Sequence, residues 1–195
     1  MAGMSGTVVQ PATGRAVVAD VLTRAFTDDP VINWLQPDRT RHRRIFDALL
    51  RGGHGRPGHA DIALRDGDIT GAAVWDPPGF RSSPLETVVM LAGFVHALGT
   101  RIGRGKRVED IFADYRPTEP HTYLAYLGAP TRGTSAGTAL LHARLDELTT
   151  PAYLESSSEA NLPLYERFGF QVTAEVTLPD GGPRVWPMYR PGEHG

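Results

Sequence analysis

Apolar residues recur along this chain with two periods, and the switches between them lay out its elements. Over residues 15–26, Val17, Val18, Val21, Leu22, Ala25 and Phe26 fall at helical spacing and predict an amphipathic helix. Asp28-Asp29-Pro30 ends it, and a proline near a first turn predicts a short second helix over 31–35. A third helix, from about 38 to 50, sets Ile45, Phe46 and Leu49 against Arg39, Arg41, Arg43 and Arg44; residues 52–58 read as a loop. Strand patterns lie at 7–10, stopped by Pro11, and at 62–64 and 69–75 around Asp66-Gly67, a hairpin signal.

Pro77, Pro78, Gly79 and Pro84 then break the chain before an apolar helix over 85–98, a basic glycine-rich turn and a helix around 108–115. Beyond Pro117 and Pro120 come a strand over 121–129, a helix over 138–148, a strand over 152–156 and a short helix over 162–168. Two last strands, near 170–178 and 185–190, are joined by Asp180-Gly181-Gly182-Pro183. This order predicts a mixed α/β sheet, antiparallel in its first half, with at least one parallel βαβ crossover.

Composition narrows the class. At about 150 residues per domain, 195 residues predict one domain with some to spare. Residues 1–6 are expected to be flexible, 7–192 to form a single domain, and 77–120 to be a helical insertion in it. A hydrophobic content of 41% with 22% charged residues excludes wholesale disorder. Zero cysteines exclude a disulfide framework, a thiolate metal site and a cysteine nucleophile. The apolar stretches are interrupted every few residues, so no membrane span is expected, and the start lacks the order of a secretion signal; a cytoplasmic location is expected. With 20 basic against 22 acidic residues, no nucleic-acid partner is expected. Arginine dominates the basic set, Lys106 being the single lysine, which codon bias accounts for most simply.

Chemistry concentrates in one stretch, where the strand over 121–129 runs through a small-residue turn, Pro130 to Ser135, into a helix. Free N–H groups at such a helix start form a phosphate site, and small residues allow close approach. Gly133-Thr134-Ser135-Ala136-Gly137 also fits the G-x-S-x-G pattern of serine hydrolases, with Ser135 as nucleophile. Only His142, seven residues on in the same helix, and His194, in the terminal tail, follow it as partners. No histidine or carboxylate spacing points to a metal.

Downstream, Tyr153-Leu154-Glu155-Ser156-Ser157 leads through Asn161 to Tyr165-Glu166-Arg167-Phe168-Gly169-Phe170. This resembles the fifth strand and following helix of the GCN5-related N-acetyltransferases. The closing hairpin, with Trp186-Pro187-Met188-Tyr189-Arg190, and the early Arg24-Ala25-Phe26-Thr27-Asp28-Asp29-Pro30 are similar to the small-molecule branch of that family. The resemblance covers nearly the whole chain. It implies that family's fold, a mixed sheet of six to seven strands flanked by helices, and transfer of an acetyl group from acetyl-CoA to a primary amine.

What the resemblance implies for residues follows position by position. The family's cofactor loop reads R/Q-x-x-G-x-G/A; Arg132 and Gly137 match, Ser135 stands where the first glycine is usual, and the preceding segment is about two residues short. Arg132, Gly133, Ser135, Ala136, Gly137 and Thr138 are thereby implied to hold the cofactor's phosphates, with Asn161 near its pantetheine arm or, alternatively, a helix cap before Pro163. The backbone N–H of Leu127 or Ala129 would polarise the thioester if the central strand is bulged. Tyr165 matches the tyrosine that protonates the departing sulfur, and its alternative is a core aromatic. Glu155 and His121 are the candidate proton acceptors, His121 being the one histidine placed for base work. Asp28, Asp29 and Tyr123 are candidates for the acceptor pocket, the two aspartates alternatively a helix-ending turn. Without cysteine, direct attack in a ternary complex is expected, by a monomer or homodimer acting on a small-molecule amine. The altered loop admits an alternative: a chain of this fold that no longer uses acetyl-CoA.

Overall fold

A computed structural model describes residues 6–131 and 133–192. Its strands are β1 (Val8–Pro11), β2 (Ala60–Arg65), β3 (Asp68–Asp76), β4 (Thr122–Gly128), β5 (Ala152–Ser156), β6 (Gln171–Val172), β7 (Val176–Thr177) and β8 (Arg184–Arg190). They form an eight-stranded sheet in the order β1-β2-β3-β4-β5-β8-β6, with β7 pairing β8 off that path. Only β4 and β5 run parallel, as the crossover predicted. The count exceeds six to seven because the expected strand over 170–178 breaks into β6 and β7. Pro11 does not stop β1 but ends within it, opposite Asp61; an edge strand tolerates proline because its outer side needs no donor. Asp66 and Gly67, at φ 55° and 87°, make the tight hairpin turn that Asp-Gly encodes.

Strand alternation gives the sheet two buried faces. On one, Ile62, Ala72 and Val74 pack beneath α1 (Arg15–Ala25) and α3 (His42–Leu49), through Val18, Leu22, Ile45 and Phe46; α2 (Pro30–Leu35) joins this layer. On the other, Ala63, Ala73, Trp75 and Leu154 meet α6 (Ala136–Leu145) and α7 (Leu162–Glu166) through Leu140, Leu141 and Tyr165. The residues after α3 are not a simple loop: Leu50–His54 continues as a wide π-helical turn.

Between β3 and β4 lie α4 (Pro84–Leu98) and α5 (Ile102–Tyr115). Ser83 and Glu86 cap α4 reciprocally, with Pro84 in the first turn. By length and composition the segment Pro84–Tyr115 qualifies as a membrane span, against the sequence expectation. Gly99, at φ 56° and ψ −126°, divides it, and the 15 residues of α4 reach only about 22 Å, short of a ~30 Å hydrocarbon core. Leu85, Val88, Leu91 and Val95 make an exposed apolar stripe along α4.

Candidate active site

The parallel pair holds for two residues only, Thr122 with Ala152 and Tyr123 with Tyr153. Beyond them the strands part, and the edge of β4 facing β5 has no strand partner. On the other edge, Val74 pairs Tyr126 while Trp75 pairs Leu124, so Ala125 is the extra residue of a bulge. The gap opens into a cavity of about 1610 Å³, with residues 124–129 along one wall and 154–158 along the other. Leu127 and Ala129 line it, and β4 carries the bulge on which their expected role depends.

The glycine loop closes one end. Gly133 and Ser135 have φ 78° and 58°, and Ser135 sits just ahead of α6. Gly133, Ser135, Ala136, Gly137 and Thr138 all face the cavity; Arg132 lies outside the described residues. The left-handed backbone at Ser135 explains why the family pattern has glycine there. A hydrolase triad does not form: among the described residues no imidazole bonds to Ser135. His142 lies 3.0 Å from Asp146, one turn on and exposed; His194 is outside the described residues.

Tyr165 belongs both to the core and to the cavity wall. Its ring packs edge-on to Phe170 at 6.2 Å in the second core, while the residue also lines the cavity. Burial, then the nearby Asp29 charge, pushes its hydroxyl well above the ordinary tyrosine range, so it remains a proton donor. Asn161 precedes α7 without a side-chain cap bond and faces the same space, which removes its capping alternative. Asp29 is a cap: its Oδ1 accepts from Ile32 N at 2.8 Å and its Oδ2 from the Ser157 hydroxyl. Asp28 pairs with Arg39 at 2.7 Å on the rim. Both aspartates line the cavity, but the carboxylate of Asp29 is engaged in tying α2 to the segment after β5.

Where the parallel pairing ends, a polar cluster is buried. The Tyr123 hydroxyl donates to Glu155 Oε2 at 2.7 Å. The Arg116 guanidinium lies over the Tyr123 ring at 4.8 Å, with its Nε 3.7 Å from Glu155 Oε1. That Oε1 and the Tyr153 hydroxyl are buried with no hydrogen-bond partner. Burial raises the Glu155 carboxyl to about 7 despite Arg116 and the Tyr123 bond, which pull it down. His121 also borders the cavity, but its Nδ1 donates to the Glu119 carbonyl at 2.8 Å and its ring rests edge-on against Tyr153.

His121 is not the one histidine placed for base work. His54 lines the cavity, with Nδ1 2.6 Å from Oδ2 of the buried Asp76, whose Oδ1 is 3.2 Å from His59 Nδ1. The sequence signal for it is slight, a histidine amid Gly52, Gly53 and Gly55. Asp76 closes β3, opposite Tyr123.

No protein-family model matches the sequence. Solved structures do match the fold. A Corynebacterium glutamicum protein described as histone acetyltransferase HPA2 and related acetyltransferase is 27% identical, with 97% of this chain and 98% of that one covered at a TM-score of 0.74. An insect putative arylalkylamine N-acetyltransferase 7 from Aedes aegypti is 14% identical, covering 94% and 86%, at 0.62. A Drosophila melanogaster polyamine N-acetyltransferase is 14% identical, covering 94% and 99%, at 0.57. The fold is therefore that of the GCN5-related N-acetyltransferases, and these three neighbours carry acetyltransferase names.

Proposed function

We propose that this protein transfers an acetyl group from acetyl-CoA to a primary amine of a small molecule, by direct attack in a ternary complex. The parted, bulged β4 edge, opening into one cavity with the start of α6, carries the reading. Small residues at 133–138 leave room for a pyrophosphate against the backbone, and the free β4 edge offers donors for a thioester carbonyl. Glu155 Oε1, buried without a hydrogen bond and 3.7 Å from Arg116 Nε, is the acceptor for a proton of the attacking amine, with Tyr123 and Arg116 holding the carboxylate in place. Tyr165 gives its proton to the departing sulfur. His121, its Nδ1 committed to the backbone, is a rim residue that contacts the acceptor, as is Asp28. A sequence likeness to puromycin N-acetyltransferase favours an aminoacyl or nucleoside-like amine, and the chain is proposed to work in the cytoplasm as a monomer or homodimer.

The absence of cysteine makes the test clean, because a thiol reagent sees only liberated coenzyme A. Amine-dependent thiol release from acetyl-CoA over a panel of primary amines is the expected result. No release with any amine, at protein concentrations near that of acetyl-CoA, would favour the alternative of a chain of this fold that has given up acetyl-CoA.

A further inference from the structure

Acetylating an amine that arrives as an ammonium removes two protons from its nitrogen. One leaves with the sulfur as coenzyme A thiol, and the other must reach solvent. Glu155 is suited to one of them. Its side chain is 3% exposed and its Oε2 is taken by Tyr123, which leaves Oε1 to accept a single proton in each turnover, so the other proton needs a second acceptor.

We propose that His54, oriented by Asp76, is a second catalytic residue of this site, the base that takes the first proton from the incoming ammonium. The inference rests on the acetyltransferase reading above. Nδ1 of His54 donates to the Asp76 carboxylate, itself 2% exposed, so the tautomer that can act as a base carries its proton on Nδ1 and its lone pair on Nε2. Nε2 has no partner among the described residues, and the residue faces the cavity. The ring is held between Phe80, 5.6 Å away, and Tyr126, edge-on at 6.1 Å, and Tyr126 adjoins the bulge residue Ala125. That places the imidazole beside the stretch of β4 where the acetyl carbonyl would be polarised.

The local backbone is shaped for this placement. Gly53, at φ 117°, lies in the π-helical turn that ends in His54. A Cβ on Gly52 would come within 2.6 Å of Met90, and one on Gly53 within 2.9 Å of Phe80. Only glycines let this turn press against α4 and the Phe80 loop while presenting His54. His59 braces the other oxygen of Asp76 and does not border the cavity, so it is a positioning residue for the pair.

The step balances. The N–H bond of R–NH3+ breaks as a proton moves to Nε2, and the imidazolium, 18% exposed, returns it to water. The neutral amine then forms the C–N bond as the C–S bond breaks, sulfur takes the Tyr165 proton, and Glu155 takes the second nitrogen proton. Glu155 then releases its proton to solvent through the cavity both residues line, and the Tyr165 phenolate takes one back, which restores both groups. Net, one proton has gone to sulfur and one to solvent.

The test compares two aromatic primary amines at neutral pH: phenethylamine, largely an ammonium, and O-benzylhydroxylamine, largely neutral. His54→Gln and Asp76→Asn are expected to lower kcat/KM for phenethylamine by about 100-fold or more while hardly changing it for O-benzylhydroxylamine. Acetyl-CoA affinity should be unchanged in His54→Gln, which decides the matter alone if Asp76→Asn folds poorly. His59→Gln should lower kcat/KM for phenethylamine by a smaller factor than His54→Gln does and hardly change it for O-benzylhydroxylamine. Equal losses on both amines in His54→Gln, or no loss, would overturn the role of His54 while leaving the acetyltransferase intact. A wild type inert toward both amines and without affinity for acetyl-CoA would remove the acetyltransferase reading itself.

Discussion

The Tyr123 hydroxyl donates to Glu155 Oε2 at 2.7 Å from the last residue at which β4 and β5 still pair. The bond spans the point where the sheet opens, so this carboxylate is fixed by the same strands whose parting makes the cavity. Glu155→Gln should lower kcat by about 10²- to 10⁴-fold at unchanged acetyl-CoA affinity. It should also change how stability depends on pH. The folded carboxyl holds its proton up to about 7, whereas the unfolded one loses it near 4.5. Between those values the native state binds more protons, so stability falls as pH rises, by about 3 kcal/mol in all. Denaturant unfolding at both ends of that window should show this loss in the wild type and not in Glu155→Gln.

Tyr165 is buried, protonated and turned to the cavity from α7. Tyr165→Phe keeps the ring's packing on Phe170 and removes the donor. Steady-state kinetics should show kcat reduced by about 10²-fold or more with KM for acetyl-CoA nearly constant. An unchanged kcat would take Tyr165 out of the acid role.

Ser135 carries a side chain at φ 58°, a conformation that costs non-glycine residues about 1 kcal/mol or more. Ser135→Gly should therefore raise unfolding stability by about 1 kcal/mol and keep or tighten acetyl-CoA binding. Weaker binding would instead assign the hydroxyl a direct contact with the phosphates.

Much of this site was legible in the chain. The strand, small-residue turn and helix around Ser135 predicted one wall, and the segment from Tyr153 to Phe170 predicted the other, because each is encoded by local spacing. The His54–Asp76 pair was not legible: its partners are 22 residues apart and meet only when a π-helical turn folds against the end of β3. Nor does any periodicity reveal that two strands will pair for two residues and then separate. Asp29 reads from the chain as pocket or turn, and the structure makes it both the cap that opens α2 and part of the cavity wall, a combination no local pattern reveals.

That last assignment is testable. Asp29→Ala removes the cap of α2 and the bond from Ser157 and should cost about 1 kcal/mol or more, while Asp29→Asn, an equally good cap, should cost much less. Turnover per folded molecule should fall little in Asp29→Asn. A large loss there with full stability would restore Asp29 to the acceptor site.

If the cavity between β4 and β5 takes up acetyl-CoA, calorimetric titration of the wild-type protein with acetyl-CoA should show saturable binding at one site per chain, with a matching rise in melting temperature as ligand increases. Absence of both heat and stabilisation at millimolar acetyl-CoA would mean that the cavity serves another ligand.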